Sequence, residues 1–469
     1  MMDPYPFFTQ NVVLPVYDLA RRTSRFSRGR ILRKTQWWRR EEIERLQNRN
    51  LHVLLKHAYE TVPYYRRIFK ERRLTPGDIR NTSDLTKLPY LTKEDIRKSP
   101  NEMISLNYGT RRLIPYQSGG TGDPIKFFVT KDSYSWEVAA EFRTYGWAGY
   151  ELGDRCFMFW GSPLDLTRAG SMVQRINRSL ERILIAGTFV LSDEVFEESA
   201  QALRKFRPKI IRGYASSVAM MAKYLNDVRI QDVRPEAVIT SAETLQDSMR
   251  KTIEEAFDCP VFDYYGSREI GAIAGECEEH SGYHISAENV IVELVDNNEA
   301  VSPGERGLML ITNLRNFGMP FIRYKIGDIG VPCSEACSCG RGLPLISSIE
   351  GRISDFMACY DEAQRRIIPV GPIYPVIISA VMHLPVENCQ VVQENIDMLT
   401  VKLVKSKGYA EEHTDYLVNY MQKQLGSSVK IQIEFVDSIP PLPSGKRSVF
   451  LSRIDPFQPP PKYKVANRS

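Results

Sequence analysis

The feature that most constrains the fold is an alternation, between residues 125 and 266, of short apolar runs with longer helical ones. IKFFVT from Ile125 and CFMFW from Cys156 read as strands. PKIIRGY from Pro208 precedes the helical SSVAMMAKYL, EAVITS from Glu236 precedes LQDSMRKTIEEAF, and VFDYYG follows from Val261. Strand followed by helix, repeated, predicts α/β layering with largely parallel sheets, because parallel neighbours need a crossover between them. In such sheets ligands gather on the loops at the carboxyl ends of the strands.

Beyond Gly282 the pattern changes to paired strands, NVIVELVD and GLMLITNL, around Asn297, Asn298 and the turn material SPGERG. After Gly351 the chain begins again. CQVVQE and MLTVKLVK read as strands, EEHTDYLVNYMQKQL as a helix and VKIQIEFV as another strand, which predicts a small α+β domain. Upstream, Ile43, Leu46, Leu51, Leu54 and Leu55 keep helical spacing over Glu41–His57, and the cluster Val62–Tyr65 stops it. Thr92 with Asp95 three residues on predicts a capped helix start. At 469 residues the chain exceeds one ordinary core. The expected division is a basic N-terminal arm at 1–50, a large domain at 51–351 with a Cys/His region at 277–339, and a C-terminal domain at 352–469.

The net charge of +5 hides an asymmetry, since Arg21–Arg49 carries eleven Lys/Arg against three Glu. Nucleic acid, in-plane membrane contact through Phe7, Phe8 and the apolar residues up to Val16, and a solvated arm docked by Trp37 and Trp38 are the available readings. The solvated arm is the expectation and no nucleic acid is expected, while peripheral membrane contact stays open. No apolar run approaches the length of a membrane span and no secretory signal is read, so the expected location is cytoplasmic. The eight cysteines are then thiols or metal ligands rather than a disulfide framework. Oligomeric state is left open, a dimer included.

Nucleotide and hydrolase motifs fail first. Gly445 and Lys446 lack the upstream glycine and following hydroxyl of a Walker loop, and no G-x-S-x-G elbow is present. Four separated pieces form a set instead: SGGTG at 118–122, YYGSRE at 264–269, RYKIGD at 323–328 with Gly351 and Arg352, and PSGKR at 443–447. In this order and spacing the set resembles the adenylate-forming superfamily of acyl-CoA synthetases, and within it the phenylacetate-CoA ligase family and its capsule-biosynthesis (CapK-like) relatives. The resemblance runs from about Leu51, through TVPYYRRIF and LPYLTKEDIR, to Lys446.

The resemblance implies a large domain of layered sheets with a distorted β subdomain and a small mobile α+β domain that pivots at Ser354 or Asp355. It implies two half-reactions: a carboxylate attacks the α-phosphate of ATP to give an acyl-adenylate and pyrophosphate, and coenzyme A or an amine then takes the acyl group. Ser118, Gly119, Gly120, Thr121 and Gly122 would cradle the terminal phosphates with hydroxyl and backbone donors. Ser241, Ala242 and Glu243 would lie along the adenine, with Tyr265 and Gly266 against the purine. Glu269 would bind Mg²⁺, a hard ion that takes carboxylate oxygen, and Asp328 and Arg352 would hold the ribose. Lys446 would bridge the substrate carboxylate and the α-phosphate. Asp123 departs from relatives that place lysine in the loop, and Lys126 is the nearby cation.

Cys277 and His280, spaced Cys-x-x-His, with Cys337 and Cys339 suit tetrahedral zinc. Similar sets in part of the family imply a structural site, with Cys333 a substitute ligand and His284 an alternative to His280. Trp160, Tyr214 and Tyr264 fall where the family lines its acyl pocket. The acid itself is unspecified by these residues. A coenzyme A ligase leads, an amide-forming ligase acting on an amine or sugar-amine is the nearest rival, and a non-catalytic nucleotide-binding protein of the same fold is the third.

Overall fold

The computed structural model describes residues 3–118, 125–160, 179–186, 193–352, 356–361, 364–369, 384–395, 398–425, 429–439 and 450–452. They fall into two compact units, one built mainly from residues up to Ile326 with Gly330–Ile349, the other mainly from Glu350–Leu442.

The first unit opens with helices: α1 (Tyr5–Phe8), a π-helical turn at Thr9–Val13, α2 (Leu14–Arg21), α3 (Arg25–Thr35), α4 (Arg40–Thr61) and α5 (Pro63–Glu71). α4 buries Ile43, Leu51, Leu54, Leu55 and Ala58 at the spacing read from the sequence. Pro63 ends it and opens α5, where a missing N–H is one of the helix's unbonded donors anyway. In α6 (Lys93–Lys98) Thr92 Oγ1 accepts from the Asp95 N–H at 3.2 Å and Asp95 Oδ2 accepts from the Thr92 N–H at 2.8 Å, the capping box expected there.

The basic segment is helical and keeps most of its charges exposed, but its inner side is packed on the protein. Arg25, Leu32, Thr35 and Gln36 are buried, and Arg28 stacks over the Trp136 ring at 4.7 Å on α7 (Lys131–Trp147). Guanidinium groups are planar and weakly hydrated, so an arginine-rich helix can lie on aromatic surface. Trp38 packs on the main core, as expected, whereas Trp37 stays 52 % exposed.

β1 (Ile114–Gln117) and β2 (Lys126–Val129) form a separate antiparallel pair. The strands that follow build one twelve-stranded sheet: β3 (Cys156–Phe159), β4 (Ile183–Ala186), β5 (Ile210–Tyr214), β6 (Ala237–Ser241), β7 (Val261–Ser267), β8 (Gly271–Glu276), β9 (Tyr283–Ile285), β10 (Val290–Asp296), β11 (Glu299–Ala300), β12 (Gly307–Asn313), β13 (Tyr324–Pro332) and β14 (Leu345–Arg352). Their order is β11-β10-β12-β13-β14-β9-β8-β7-β6-β5-β3-β4. β4-β3-β5-β6-β7 pair in parallel, while β7-β8, β8-β9, β9-β14 and β10-β12 are antiparallel.

Period-two alternation assigns the faces of the parallel part. Phe157, Ile211, Val238 and Val261 face one core with α8 (Asp193–Phe206), α9 (Ala215–Asp227) and α10 (Asp247–Phe257). Cys156, Ile210, Ile239 and Phe262 face the other, under Tyr145 of α7 and Tyr150. Burial on both faces is why these strands read as continuous apolar runs.

In the second unit, β15 (Phe356–Asp361) and β16 (Gln364–Pro369) form an antiparallel pair. A four-stranded sheet follows in the order β19-β18-β17-β20, from β17 (Val386–Asn395), β18 (Met398–Lys405), β19 (Lys430–Phe435) and β20 (Phe450–Ser452). α11 (Glu411–Leu425) lays Leu417 and Met421 on Val391, Leu399, Val401 and Leu403. This is the α+β order read from the sequence.

Candidate active site and cysteine group

Register fixes the centre of the candidate site. Tyr214 of β5 pairs with Ser241 of β6, and Ser241 with Tyr264 of β7, so the three stand in one row at the carboxyl edge of parallel strands, where α/β sheets bind ligands. Trp160, just past β3, places its ring 4.7 Å from that of Tyr214. The backbone is tight here. A Cβ on Gly213 would fall 2.8 Å from Phe159, and one on Gly266 would fall 2.8 Å from the Gly271 carbonyl and the Tyr264 hydroxyl.

The loop after β6 is held from two sides. Ala242 adopts a left-handed φ of 70°, a conformation costing an L-residue about 1–2 kcal/mol. Glu243 Oε2 accepts from the Ser216 N–H at 2.9 Å, in the first turn of α9, where free amides and the helix dipole favour a carboxylate. Tyr265 and Gly266 follow on β7 at a register shift against β8. Glu269, between β7 and β8, is buried, with Lys93 Nζ at 3.5 Å and the Tyr324 hydroxyl at 3.4 Å from Oε1. Both distances are at the outer limit of a hydrogen bond, leaving carboxylate lone pairs for a hard cation.

Ser118 ties the base of the glycine loop: its N–H donates to the Ile125 carbonyl and its Oγ accepts from the Ile125 N–H, both at 2.9 Å. The hydroxyl hydrogen is still available to a ligand oxygen. Gly119, Gly120, Thr121, Gly122, Asp123, Ser354, Asp355 and Lys446 lie outside the described residues. Lys126 begins β2 with its side chain exposed. Asp328 lies in β13 and Arg352 ends β14.

An acidic row beside Tyr264 was not anticipated. Glu137, Glu141 and Tyr145 recur every fourth residue on α7, a spacing that stacks them on one face. The Tyr145 ring lies 5.2 Å from that of Tyr264, and Tyr145 Oη donates to Glu141 Oε1 at 2.5 Å. Arg212 of β5 reaches Glu141 at 3.2 Å and stacks on Tyr145 at 3.8 Å. Burial, and secondarily the charge of Glu141, pushes Glu137 up to about 8. Its Cγ sits 2.2 Å from where a Cβ of Gly271 would be, so only glycine admits it. The signal was present in SWEVAAEFRTYGW, as acids recurring on an otherwise apolar helix face.

The cysteine group corrects one expectation. Ligand atoms of Cys277, His284, Cys337 and Cys339 lie within 4.8 Å of one another. His280 does not join them. It sits in the turn after β8 with φ 48° and places Nδ1 3.4 Å from Glu276, whereas His284 on β9 points inward and is fully buried. Cys333 also stays apart, its sulfur 3.9 Å from the Glu335 carbonyl.

Cys277 and Cys337 sulfurs are 3.7 Å apart, and Cys339 Sγ is 3.3 Å from His284 Nε2. Tetrahedral zinc with Zn–S bonds of about 2.3 Å requires sulfurs about 3.8 Å apart, so the donor set and spacing fit. His284 Nδ1 faces the Leu343 carbonyl at 3.4 Å, which orients Nε2 into the group. Burial lowers His284 to about 4, which keeps its imidazole in the neutral, ligating form, and raises the Cys277 thiol to about 12, a cost to the thiolate that a bound cation would offset. The loop is anchored beyond its ligands. Gly342 N–H donates to the Gln36 carbonyl at 3.1 Å, Arg341 stacks between Trp37 and Trp147 at 4.8 and 5.1 Å, and a Cβ on Gly342 would fall 1.9 Å from the Trp38 carbonyl oxygen.

Comparisons with known proteins bear on the family and the fold. The CapK C-terminal domain family model matches residues 371–452. Phenylacetate-coenzyme A ligase of Thermus thermophilus is 25 % identical over 435 residues, covering 87 % of this chain and 94 % of that protein. Protein CapK of Staphylococcus aureus is 26 % identical, covering 91 % and 95 %. Phenylacetate-coenzyme A ligase of Escherichia coli is 30 % identical over 301 residues, covering 62 % and 67 %.

Among solved structures, 2-hydroxyisobutyryl-CoA ligase in the postadenylation state, in complex with R3-HIB-AMP, aligns with a TM-score of 0.65 at 20 % identity, covering 86 % of this chain and 88 % of that one. The fold is therefore that of the adenylate-forming ligases, as the resemblance implied. With the identity and coverage shared with the Escherichia coli enzyme, the chain belongs to the phenylacetate-CoA ligase family.

Proposed function

We propose that the protein activates a carboxylic acid with ATP, forming an acyl-adenylate and releasing pyrophosphate, and then transfers the acyl group to coenzyme A. The observation that carries this reading is the row Tyr214, Ser241 and Tyr264 at the carboxyl edge of β5, β6 and β7, in a chain whose fold is that of adenylate-forming ligases. Tyr214, Tyr264 and Trp160 would line the acid pocket. Ser241, Ala242, Glu243, Tyr265 and Gly266 would hold the adenine, Asp328 and Arg352 the ribose, and Ser118 with residues 119–122 the terminal phosphates. Glu269 would hold Mg²⁺, which neutralises phosphate charge. Lys446 would contact the reacting carboxylate and α-phosphate, carried on a C-terminal domain that pivots at Ser354 or Asp355.

Cys277, His284, Cys337 and Cys339 would hold a structural zinc. Four protein ligands leave no open coordination position, so the metal supplies stability alone. Thiolate ligands require a reducing compartment, which supports a cytoplasmic location.

A panel of carboxylic acids incubated with ATP and hydroxylamine tests the first half-reaction, with hydroxamate formation as the readout. Adding coenzyme A and assaying the thioester tests the second. The rival acceptor is an amine or sugar-amine. Acid-dependent hydroxamate with no thioester would select that reading, and no activation of any acid would leave a non-catalytic nucleotide-binding role.

A further inference from the structure

Residues 4–17, PYPFFTQNVVLPVY, carry no charged side chain. They wind into the continuous helical segment Tyr5–Arg21, formed by α1, the π-helical turn and α2, and that segment is inverted. Thr9 and Asp18 are 1 % and 6 % exposed, whereas Phe7, Phe8, Val12, Val16 and Leu19 are 73 %, 49 %, 47 %, 63 % and 82 % exposed. A surface helix normally buries its apolar face and wets its polar one. Here Thr9 and Asp18 face the protein with Pro6, while Phe7, Phe8, Val12, Val16 and Leu19 face out around the exposed Asn11, and exposed apolar patches of this kind mark interaction surfaces.

The inner face is fastened, so the outward stripe follows from a fixed orientation. Pro6 and Thr9 press on Gly153, where a Cβ would fall 2.7 Å from Thr9 Oγ1. Tyr5 Oη donates to the Leu180 carbonyl at 2.9 Å, and Gln10 Nε2 donates to Glu151 at 3.2 Å. Asp18 accepts from Thr23 Oγ1 at 2.7 Å, Arg25 Nε at 3.0 Å and the Phe26 N–H at 2.8 Å.

Charge at the border selects the partner. Exposed Arg21 and Arg22 close the helix, and exposed Lys131 donates to the Arg21 carbonyl at 2.9 Å. Exposed Arg33 donates to Gln10 Oε1 at 3.3 Å beside the stripe. Of the nearby acids, Asp3 is paired with Arg182, Asp18 with Arg25, and Glu151 bonds Gln10. An apolar strip about 18 Å long, at 1.5 Å per helical residue, bordered by cations matches the headgroup and acyl boundary of an anionic bilayer. No helix among the described residues is long and apolar enough to cross a membrane. We infer that the helix Tyr5–Arg21 lies in the surface of an anionic lipid bilayer, with Phe7, Phe8, Val12, Val16 and Leu19 inserted and the bordering arginines and lysine on the headgroups.

The test is co-sedimentation of the full chain with vesicles of phosphatidylcholine, alone or mixed with phosphatidylglycerol. Wild type is expected to bind the mixed vesicles, more weakly as salt rises. Val12→Asp/Val16→Asp is expected to bind about tenfold less, with an unchanged melting curve because both side chains are exposed. Arg21→Glu/Arg22→Glu is expected to weaken binding to the mixed vesicles selectively. Failure of wild type to bind mixed vesicles overturns the proposal, as does undiminished binding by Val12→Asp/Val16→Asp. A wild-type dimer that ignores vesicles and that Val12→Asp/Val16→Asp splits into monomers would assign the stripe to a second copy, and would overturn it equally.

Discussion

His284 Nε2 stands 3.3 Å from Cys339 Sγ, bringing β9 and the loop before β14 to one point. Zinc measured by plasma emission in the purified protein should therefore be close to one ion per chain and should drop sharply in His284→Ala. His280→Ala should retain it. The opposite pattern would restore the Cys-x-x-His reading and discard the geometric one.

The proposed role of Lys446 is to meet the charge that develops on the α-phosphate. Lys446→Ala should lower acid-dependent ATP–pyrophosphate exchange by about 100-fold or more, the scale of losing a transition-state cation or donor, with little change in ATP affinity. Exchange at the wild-type rate would remove the residue from the mechanism.

A buried ion pair fastens the N-terminal helices to the sheet. Arg143 Nη1 donates to both Glu288 oxygens, at 2.7 and 2.9 Å, and Thr35 Oγ1 of α3 donates to Glu288 Oε1 at 2.5 Å. Removing one partner leaves an uncompensated charge, so Arg143→Met should cost about 3–5 kcal/mol in urea unfolding. Adding Glu288→Gln should recover part of the loss. A single-variant cost under about 1 kcal/mol would mean that solvent reaches the pair.

Glu137 makes stability depend on pH. Its folded pKa of about 8 exceeds the ordinary value of 4.5, so the native state holds a proton that the unfolded chain releases. Stability from this group is full below the ordinary carboxylate range and is lost as pH rises toward about 8. Glu137→Gln should therefore melt several degrees higher than wild type at alkaline pH and close to it at acidic pH. Parallel melting curves across that window would show Glu137 ionised in the native state.

Much of the fold was legible because the signals were local or periodic. Strands buried on both faces announce themselves as apolar runs, and Thr92 with Asp95 announces a helix start. Other features depended on what lies across the molecule. Arg25 and Arg28 read as solvated charge until the stacking of Arg28 on Trp136 and the pairing of Arg25 with Asp18 are known. Choosing His284 over His280 needed the turn after β8, which the spacing to Cys277 does not encode. The carboxyl-edge residues Tyr214, Ser241 and Tyr264 were found by motif, whereas Glu137 and Glu141 were missed because a helix face shows its neighbours only after packing.

Gly342 lies so close to the Trp38 carbonyl that no larger side chain fits. The cysteine loop and the chain at Gln36–Trp38 are therefore in direct backbone contact. A side chain placed at position 342 would be felt at Trp38, on the chain that leads into α4, as well as in the cysteine loop.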